Sequence, residues 1–252
     1  MLYLIGIGLS DEQDLTLRAV TALHSCTTVY LDTYTCPYLG DLSKLETLIG
    51  KKVILADRTL VEQHIETILT DARTMNVAFL VVGDVFSATT HTDLFLRTRV
   101  QKIPYQIIHN TSILTAVGDS GLSLYKFGKI TSIPFTQPDQ NIDSPYDVLA
   151  KNKKIGLHTL FLLDLHPADK KFMTVQEALL FLLASEQRKQ QGLITPETYI
   201  IGCSALGTDH AIIKYGTIQK FLTTSFPSYP HCLIIPGTLH FIEEDALAYY
   251  KL

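Results

Sequence analysis

VAFLVVGDVFSATTHTDL, residues 77–94, is the most informative stretch of the chain. Val77–Val82 is an unbroken apolar run of strand length with no polar alternation, the pattern of a strand covered on both faces. It runs straight into Gly83-Asp84, and the spacing beyond predicts a helix from about His91 to Lys102, followed by a strand at Tyr105–Ile108. Working back toward the amino terminus, Leu2–Ile7 is a second run of the same kind, ending in Gly6-Ile7-Gly8. Ser10 with Gln13 forms a capping-box pattern that predicts a helix opening there, with Leu15, Ala19 and Leu23 on its apolar face. Thr27–Leu31 and Lys52–Leu55 read as strands, and Val61, Ile65, Ile68, Leu69 and Ala72 mark another amphipathic helix. Strands alternating with helices in this way predict an α/β fold with a mostly parallel sheet.

The carboxyl-terminal half is less regular. A short helix is expected around Ser112–Val117, and Pro134, Pro138 and Pro145 bracket a polar stretch expected to be an exposed loop. Leu157–Leu163, Tyr199–Gly202 and Leu233–Ile235 read as strands. Thr174 with Glu177 forms a capping box opening a helix toward Arg188, and a last helix starts at about Phe241. The irregular order predicts a mixed sheet in a second domain. The boundary is placed near 107–112, giving domains of residues 1–109 and 110–252.

With 252 residues, 46% of them hydrophobic and 18% charged, the chain can bury a substantial core, which excludes intrinsic disorder. A formal net charge of −4 without a Lys/Arg run argues against gripping nucleic acid by its phosphates. Cys26, Cys36, Cys203 and Cys232 are scattered, as reduced thiols would be. The nine histidines form no metal-ligand pattern, so no metal is expected. No apolar run approaches the ~18 residues of a membrane span. The apolar start lacks a preceding basic region and meets Asp11-Glu12-Gln13-Asp14 at once, so a cytoplasmic protein without a signal peptide is expected.

The candidate chemistry gathers at strand ends. Gly6-Ile7-Gly8 lets a ligand approach the backbone, or simply makes a tight turn; Asp11 stands where a dinucleotide fingerprint would want a third glycine. Asp84 lies where open α/β sheets bind ligands and could accept hydrogen bonds from a ribose or an ammonium group, or cap a helix. His91, within the polar run Ser87–Asp93, is a base or a hydrogen-bonded structural residue. Asn110-Thr111-Ser112 offers polar groups at a helix start, a ligand contact or an N-cap.

Taken together, MLYLIGIGLSDEQDLT (1–16), the 77–94 block and IIHNTSILTAVGDSGLSLYKFGK (107–129) resemble the diphthine synthase family of tetrapyrrole-methylase-like enzymes. HTLFLLDL (158–165), IIGCSALGTD (200–209) and LIIPGTLHFIEED (233–245) are similar to that family in the same order. The resemblance implies a homodimer of two-domain α/β chains, each with S-adenosyl-L-methionine in the cleft between its domains. It implies methylation of a modified histidine on translation elongation factor 2 during diphthamide synthesis. The eukaryotic branch, to which the likeness is closer, adds three methyls to an amine and one to a carboxylate; archaeal relatives stop at the trimethylated amine. Carried over by position, the cofactor contacts are Leu9, Asp84, Ser87, Ser112, Ile113, Leu163, Leu206 and His240. The chain departs from the family's G-D-P-F-G-A-T-T at Val85 and Ser87, and the segment between Leu165 and Met173 is short.

No residue stands out in the sequence as a dedicated base, so the protein's expected work is to position and desolvate. Two rivals stay open: a tetrapyrrole methyltransferase, which would favour a cleft with clustered Arg, and a non-catalytic nucleotide-binding regulator.

Overall fold

The structure is a computed structural model that describes residues 1–135 and 141–252. The chain divides into two compact units. The first comprises Met1–Ala116 with His166–Asp169 and Gly207–Asp209; the second holds Val117–Leu165, Lys170–Leu206 and His210–Leu252.

In the first unit, β1 (Leu2–Gly6), β2 (Thr28–Asp32), β3 (Val53–Ala56), β4 (Val77–Val81) and β5 (Tyr105–Ile108) form one sheet in the order β3-β2-β4-β1-β5. Every pairing in it is parallel. The unbroken apolar runs have a direct cause: alternate residues of each central strand feed two separate cores. Ile5, Ala78 and Leu80 pack on one face with Ala19 and Leu23 of α1 (Leu17–Ser25) and with Leu45 and Ile49 of α2 (Leu42–Ile49). Leu4, Val77, Phe79 and Val81 pack on the other, with Ile68 and Leu69 of a helix at Ile65–Thr74 and Leu94 of a helix at Thr92–Val100.

Several local expectations change. Ser10 opens no helix; the carboxylate of Asp11 accepts from Gln13 N–H over a single 3-10 turn, Glu12–Asp14. The helix begins at Leu17, where the Thr16 hydroxyl accepts from Ala19 N–H at 3.1 Å, the better N-cap geometry. The amphipathic run from Val61 to Ala72 is broken at His64 into α3 (Arg58–Gln63) and α4 (Ile65–Thr74). The next helix is α5 (Thr92–Val100), and Ile113–Ala116 is a single α-helical turn, α6. Helix α2 is an addition to the expected helices; Leu42, Leu45 and Ile49 lie at helical spacing in it, and Asp41 caps its start.

The second unit holds a mixed sheet, β11-β10-β12-β7-β6, made of β6 (Thr131–Ile133), β7 (Thr159–Leu163), β10 (Tyr199–Ser204), β11 (Ile212–Thr217) and β12 (His231–Ile235). Only β6 and β7 run parallel in it; two short strands, β8 (Leu165–His166) and β9 (Lys171–Phe172), stand apart. Its core joins Phe161, Ile200 and Leu233 to Tyr146 of α7 (Ser144–Lys154) and to Leu179 and Leu182 of α8 (Val175–Lys189). The Thr174–Glu177 capping box at the head of α8 has both its bonds. Pro145 sits in the first turn of α7, where proline lacks no needed N–H, so it opens a helix and does not close a loop. The rest of that expected loop includes residues 136–140, outside the described residues. A short α9 (Ile218–Phe221) and α10 (Phe241–Ala248) complete the unit. No helix among the described residues is long and apolar enough to cross a membrane.

Candidate functional site

The order of the parallel sheet locates a crevice. From β1 the chain moves two positions to one side to reach β2; from the adjacent β4 it moves two positions to the other side to reach β5. Right-handed crossovers then send α1 and α5 to opposite faces, so the loops leaving β1 and β4 diverge above the carboxyl ends of these neighbours. Ligands of open α/β sheets bind at such a switch point.

There the two glycine turns meet. Gly8 N–H donates to Gly83 O at 3.2 Å and Gly83 N–H to Gly8 O at 2.7 Å, with φ of +79° and +82°. Left-handed backbone of this kind favours glycine. The two are not equivalent. A Cβ on Gly8 would lie 2.4 Å from Asp14 Cβ, a clash, whereas one on Gly83 would meet Leu9 Cδ2 at 3.8 Å and Ser112 Cα and Cβ at 3.9 Å, ordinary contact distances. Gly83 therefore floors a small open cradle walled by Leu9 and Ser112. Gly207 packs against the far side of Leu9, so closely that a Cβ there would come within 2.6 Å of Leu9 Cδ1.

Two residues beyond the carried-over cofactor contacts hold the cradle. One oxygen of the Asp14 carboxylate accepts from Leu9 N–H at 2.9 Å and Ser10 N–H at 2.8 Å, fixing the turn after Gly8. Asn110 Nδ2 donates to Gly6 O at 3.1 Å and Asp14 O at 2.9 Å, tying the end of β5 to the end of β1. The signal for Asp14 is present in the acidic run after Gly8. It is a carboxylate placed where a turn leaves two N–H groups unpaired.

Asp84 is buried and fully engaged. Oδ1 accepts from Phe86 N–H at 3.2 Å and Ser87 Oγ at 3.1 Å; Oδ2 accepts from His109 Nδ1 at 2.8 Å and Asn110 N–H at 3.1 Å. Burial alone would push this carboxyl up, but hydrogen bonds from His109, Asn110 and Phe86 outweigh it and leave the group below its ordinary value. Four donors fill the carboxylate's acceptor sites, so its side chain organises the turn and keeps none open for a ribose. Asp84 caps its own loop; helix α5 starts later, after His91. Ser87 turns its hydroxyl back onto Asp84, so the side chain that replaces the family's glycine is taken up within the loop. Ser112 is buried, its Oγ accepting from Leu114 N–H at 3.2 Å as a cap to α6, and Ile113 opens that turn, half-buried. His91 is the structural residue: fully buried, with Nε2 3.1 Å from Asp32 Oδ2 and its ring edge-on to Phe79.

Leu9, Asp84, Ser87, Ser112 and Ile113 thus share the carboxyl edge of the first sheet. Leu163, Leu206 and His240 belong to the second unit. Leu163 ends β7 with its side chain in that unit's core, which leaves its backbone for any ligand contact. Leu206 is buried beyond β10, after Ala205 at φ +48°. His240 is exposed as the N-cap of α10, its Nδ1 accepting from Ile242 N–H at 3.4 Å.

A second network, with no counterpart among the sequence expectations, surrounds Glu243. Its carboxylate accepts from Ser123 N–H at 3.0 Å, His158 Nε2 at 3.2 Å, His240 N–H at 2.8 Å and Lys126 Nζ. Burial alone would raise this carboxyl; the bonds from Lys126, His240, Ser123 and His158 hold it at about 2. His158 is itself pushed down by burial and accepts Gly237 N–H on Nδ1 at 3.0 Å, so it is a neutral imidazole donating from Nε2. The Leu-Tyr-Lys-Phe-Gly motif owes its lysine to this site.

Comparison with known proteins identifies the family. The tetrapyrrole (corrin/porphyrin) methylase family matches residues 1–221. The chain is 39% identical to diphthine synthase of Methanococcus maripaludis over 250 residues, covering 99% of this chain and 98% of that one. It is 42% identical to diphthine methyl ester synthase of Candida glabrata over 253 residues, 94% of this chain and 85% of the relative. A crystal structure assigned as a diphthine synthase, from Entamoeba histolytica, superposes with a TM-score of 0.93 at 38% identity, covering 100% of this chain and 98% of that one. Another crystal structure of diphthine synthase gives a TM-score of 0.89 at 28% identity, covering 100% and 96%. On fold and full-length similarity, the chain belongs to the diphthine synthase family of methyltransferases, within the tetrapyrrole methylases.

Proposed function

We propose that the protein transfers methyl groups from S-adenosyl-L-methionine to the modified histidine side chain of translation elongation factor 2, three to its amine and one to its carboxylate, acting as a homodimer. The observation that carries the reading is the cradle over Gly83: a left-handed glycine floor with Leu9 and Ser112 3.8–3.9 Å from the point a side chain would occupy. A ligand can press on backbone there. In this reading Leu9, Asp84, Ser87, Ser112 and Ile113 line the cofactor from the first unit. Leu163, Leu206 and His240 are the contacts proposed from the second. Asp84 contributes through its backbone and through the loop it folds, because its carboxylate oxygens are already bonded.

The bound cofactor supplies an electrophilic methyl carbon on a sulfonium, so the chain's own task is to hold the acceptor in line with it and exclude water. Asp14 and Asn110 keep the Gly6–Ser10 turn in one conformation, and Glu243 fixes the start of α10 on which His240 sits. The four-methyl outcome rests on likeness to the eukaryotic diphthine methyl ester synthases. The similar identity to archaeal diphthine synthase makes three methyls the alternative. Mass spectrometry of elongation factor 2 carrying the unmethylated intermediate, incubated with the protein and cofactor, decides. A mass gain of four methyl groups is expected, three would assign the trimethylating type, and none would refute the function.

A further inference from the structure

The reaction so read lacks a proton acceptor, and the structure supplies one. We infer that His109 takes the proton from the substrate's amine before each methyl transfer to nitrogen; the identity of the substrate rests on the function proposed above. His109 follows β5 at the carboxyl edge of the first sheet. Its side chain is 67% exposed, while the Asp84 carboxylate it meets, Nδ1 to Oδ2 at 2.8 Å, is 9% exposed. Asp84 also accepts a backbone N–H from Asn110 on that same oxygen, and accepts from Phe86 N–H and the Ser87 hydroxyl on the other. A carboxylate holding three donors besides the ring is an acceptor, so the ring proton belongs on Nδ1. That leaves the basic lone pair on Nε2, on the exposed side. A buried acid fixing the tautomer of an accessible imidazole is the arrangement of a general base. The ring meets the Asp84 carboxylate and the ring of Phe86, the latter with centroids 6.4 Å apart.

Other His–carboxylate pairs differ in the feature that matters. His91–Asp32 and His158–Glu243 are buried on both sides, out of reach of an external proton. His166 faces Asp169 at 3.9 Å, but that carboxylate is 77% exposed and orients little. His109 also sits in the turn that builds the cradle: the adjacent Asn110 binds Gly6 O, and the Asp84 it orients on follows Gly83.

Atoms and charge balance in each transfer to nitrogen. An ammonium N–H proton passes to His109 Nε2, giving an imidazolium held on Asp84. The freed nitrogen pair forms the C–N bond as the C–S bond breaks, its electrons staying on sulfur as a neutral thioether, and the imidazolium returns its proton to solvent. Converting a primary ammonium to a trimethylammonium releases three protons; forming the ester at a carboxylate releases none. Base catalysis therefore belongs to the nitrogen steps alone.

The test uses the full-length protein and its His109→Asn and His109→Gln variants; the exposed ring makes both substitutions compatible with folding. Single-turnover methylation of the unmethylated elongation factor intermediate is followed by mass spectrometry from pH 6 to 9, with cofactor affinity measured by calorimetry. The variants are expected to bind the cofactor within about threefold of wild type and to lose about 10²-fold or more in nitrogen methylation at pH 7. That rate should climb about tenfold per pH unit and recover in part with added imidazole. Ester formation on a trimethylated substrate should change by less than about threefold. Independently of turnover, nitrogen-edited NMR of the ligand-free protein should find the His109 proton on Nδ1 and lose that preference in Asp84→Asn. Variants that methylate nitrogen at the wild-type rate with the wild-type pH profile, or a His109 protonated on Nε2, overturn the inference. Failure of the wild-type protein itself to methylate the factor would instead strike the proposed function, and the NMR tautomer would still decide the dyad.

Discussion

Substituting Gly83 with Ala isolates the cradle from the fold. At φ +82° an alanine costs about 1–2 kcal/mol for left-handed backbone. The stiffer unfolded chain offsets about 0.4–1 kcal/mol of that. The new methyl clashes with nothing, since its neighbours are Leu9 Cδ2 at 3.8 Å and Ser112 Cα and Cβ at 3.9 Å. The net destabilisation is about 1 kcal/mol, or about 2–4 °C in Tm for a chain of this length. The same methyl fills the space the ligand is proposed to touch, so cofactor affinity should fall at least about tenfold, which is ~1.4 kcal/mol. Gly50→Ala provides the control, because Gly50 has φ +70°, lies at the far end of α2, and has nothing within 4 Å of the point where a Cβ would stand. It should cost similar stability and leave affinity untouched. Calorimetric titration with S-adenosyl-L-methionine, beside thermal melts of both variants, is the assay. Equal affinity of wild type, Gly83→Ala and Gly50→Ala would refute the reasoning.

Other expectations concern the two hydrogen-bond networks. Asp14→Ala strips the acceptor from Leu9 and Ser10 N–H and should cost about 1–3 kcal/mol in urea unfolding; Asp14→Asn, which keeps one acceptor oxygen, should recover much of it. Glu243→Gln breaks a buried charge network and should lower stability at pH 7 by about 3 kcal/mol. Because the Glu243 carboxyl is held at about 2 in the folded protein, its contribution is complete above the ordinary glutamate value of 4.5 and lost as pH falls from there toward 2. Acid unfolding of wild type should show that loss, and the Gln variant should lack it. His158 and His231 are both pushed down by burial, so the folded state binds fewer protons than the unfolded chain just below the ordinary value of 6.5. Their contribution is therefore present above about 6.5 and declines below it. His158→Phe should flatten the decline in a pH series of urea melts.

Much of the first unit is legible in the sequence because its strands carry an extreme pattern. Val77–Val82 and Leu2–Ile7 are apolar at every position, and only a two-faced parallel strand asks for that. The glycine turns are legible as positions, but their mutual pairing is not, because it joins residues 75 apart in sequence through backbone atoms that any residue carries. Helix α2 is only eight residues long; Leu42, Leu45, Leu48 and Ile49 recur in it at helical spacing, but only Leu45 and Ile49 are buried, and its start is set by Asp41 accepting from Ser43 N–H. The break at His64 is hidden because the apolar spacing continues across it. The site residues carried over by resemblance come without their chemistry. Asp84 has the position of a ligand acceptor and is instead the hub that His109 and Asn110 bind. His109 carries no signal of its own, since a histidine's partner carboxylate, here 25 residues upstream, cannot be seen from spacing.

In the proposed function the cofactor rests on the paired glycine turns at the carboxyl edge of the parallel sheet. A crystal of the protein grown with S-adenosyl-L-homocysteine, solved at a resolution that defines the ligand, measures this directly. The expected result is density packed against Gly83 and between Leu9 and Ser112, with Asp84 still bonded to His109. Well-defined ligand density elsewhere, with the Gly83 cradle filled only by solvent, would contradict it.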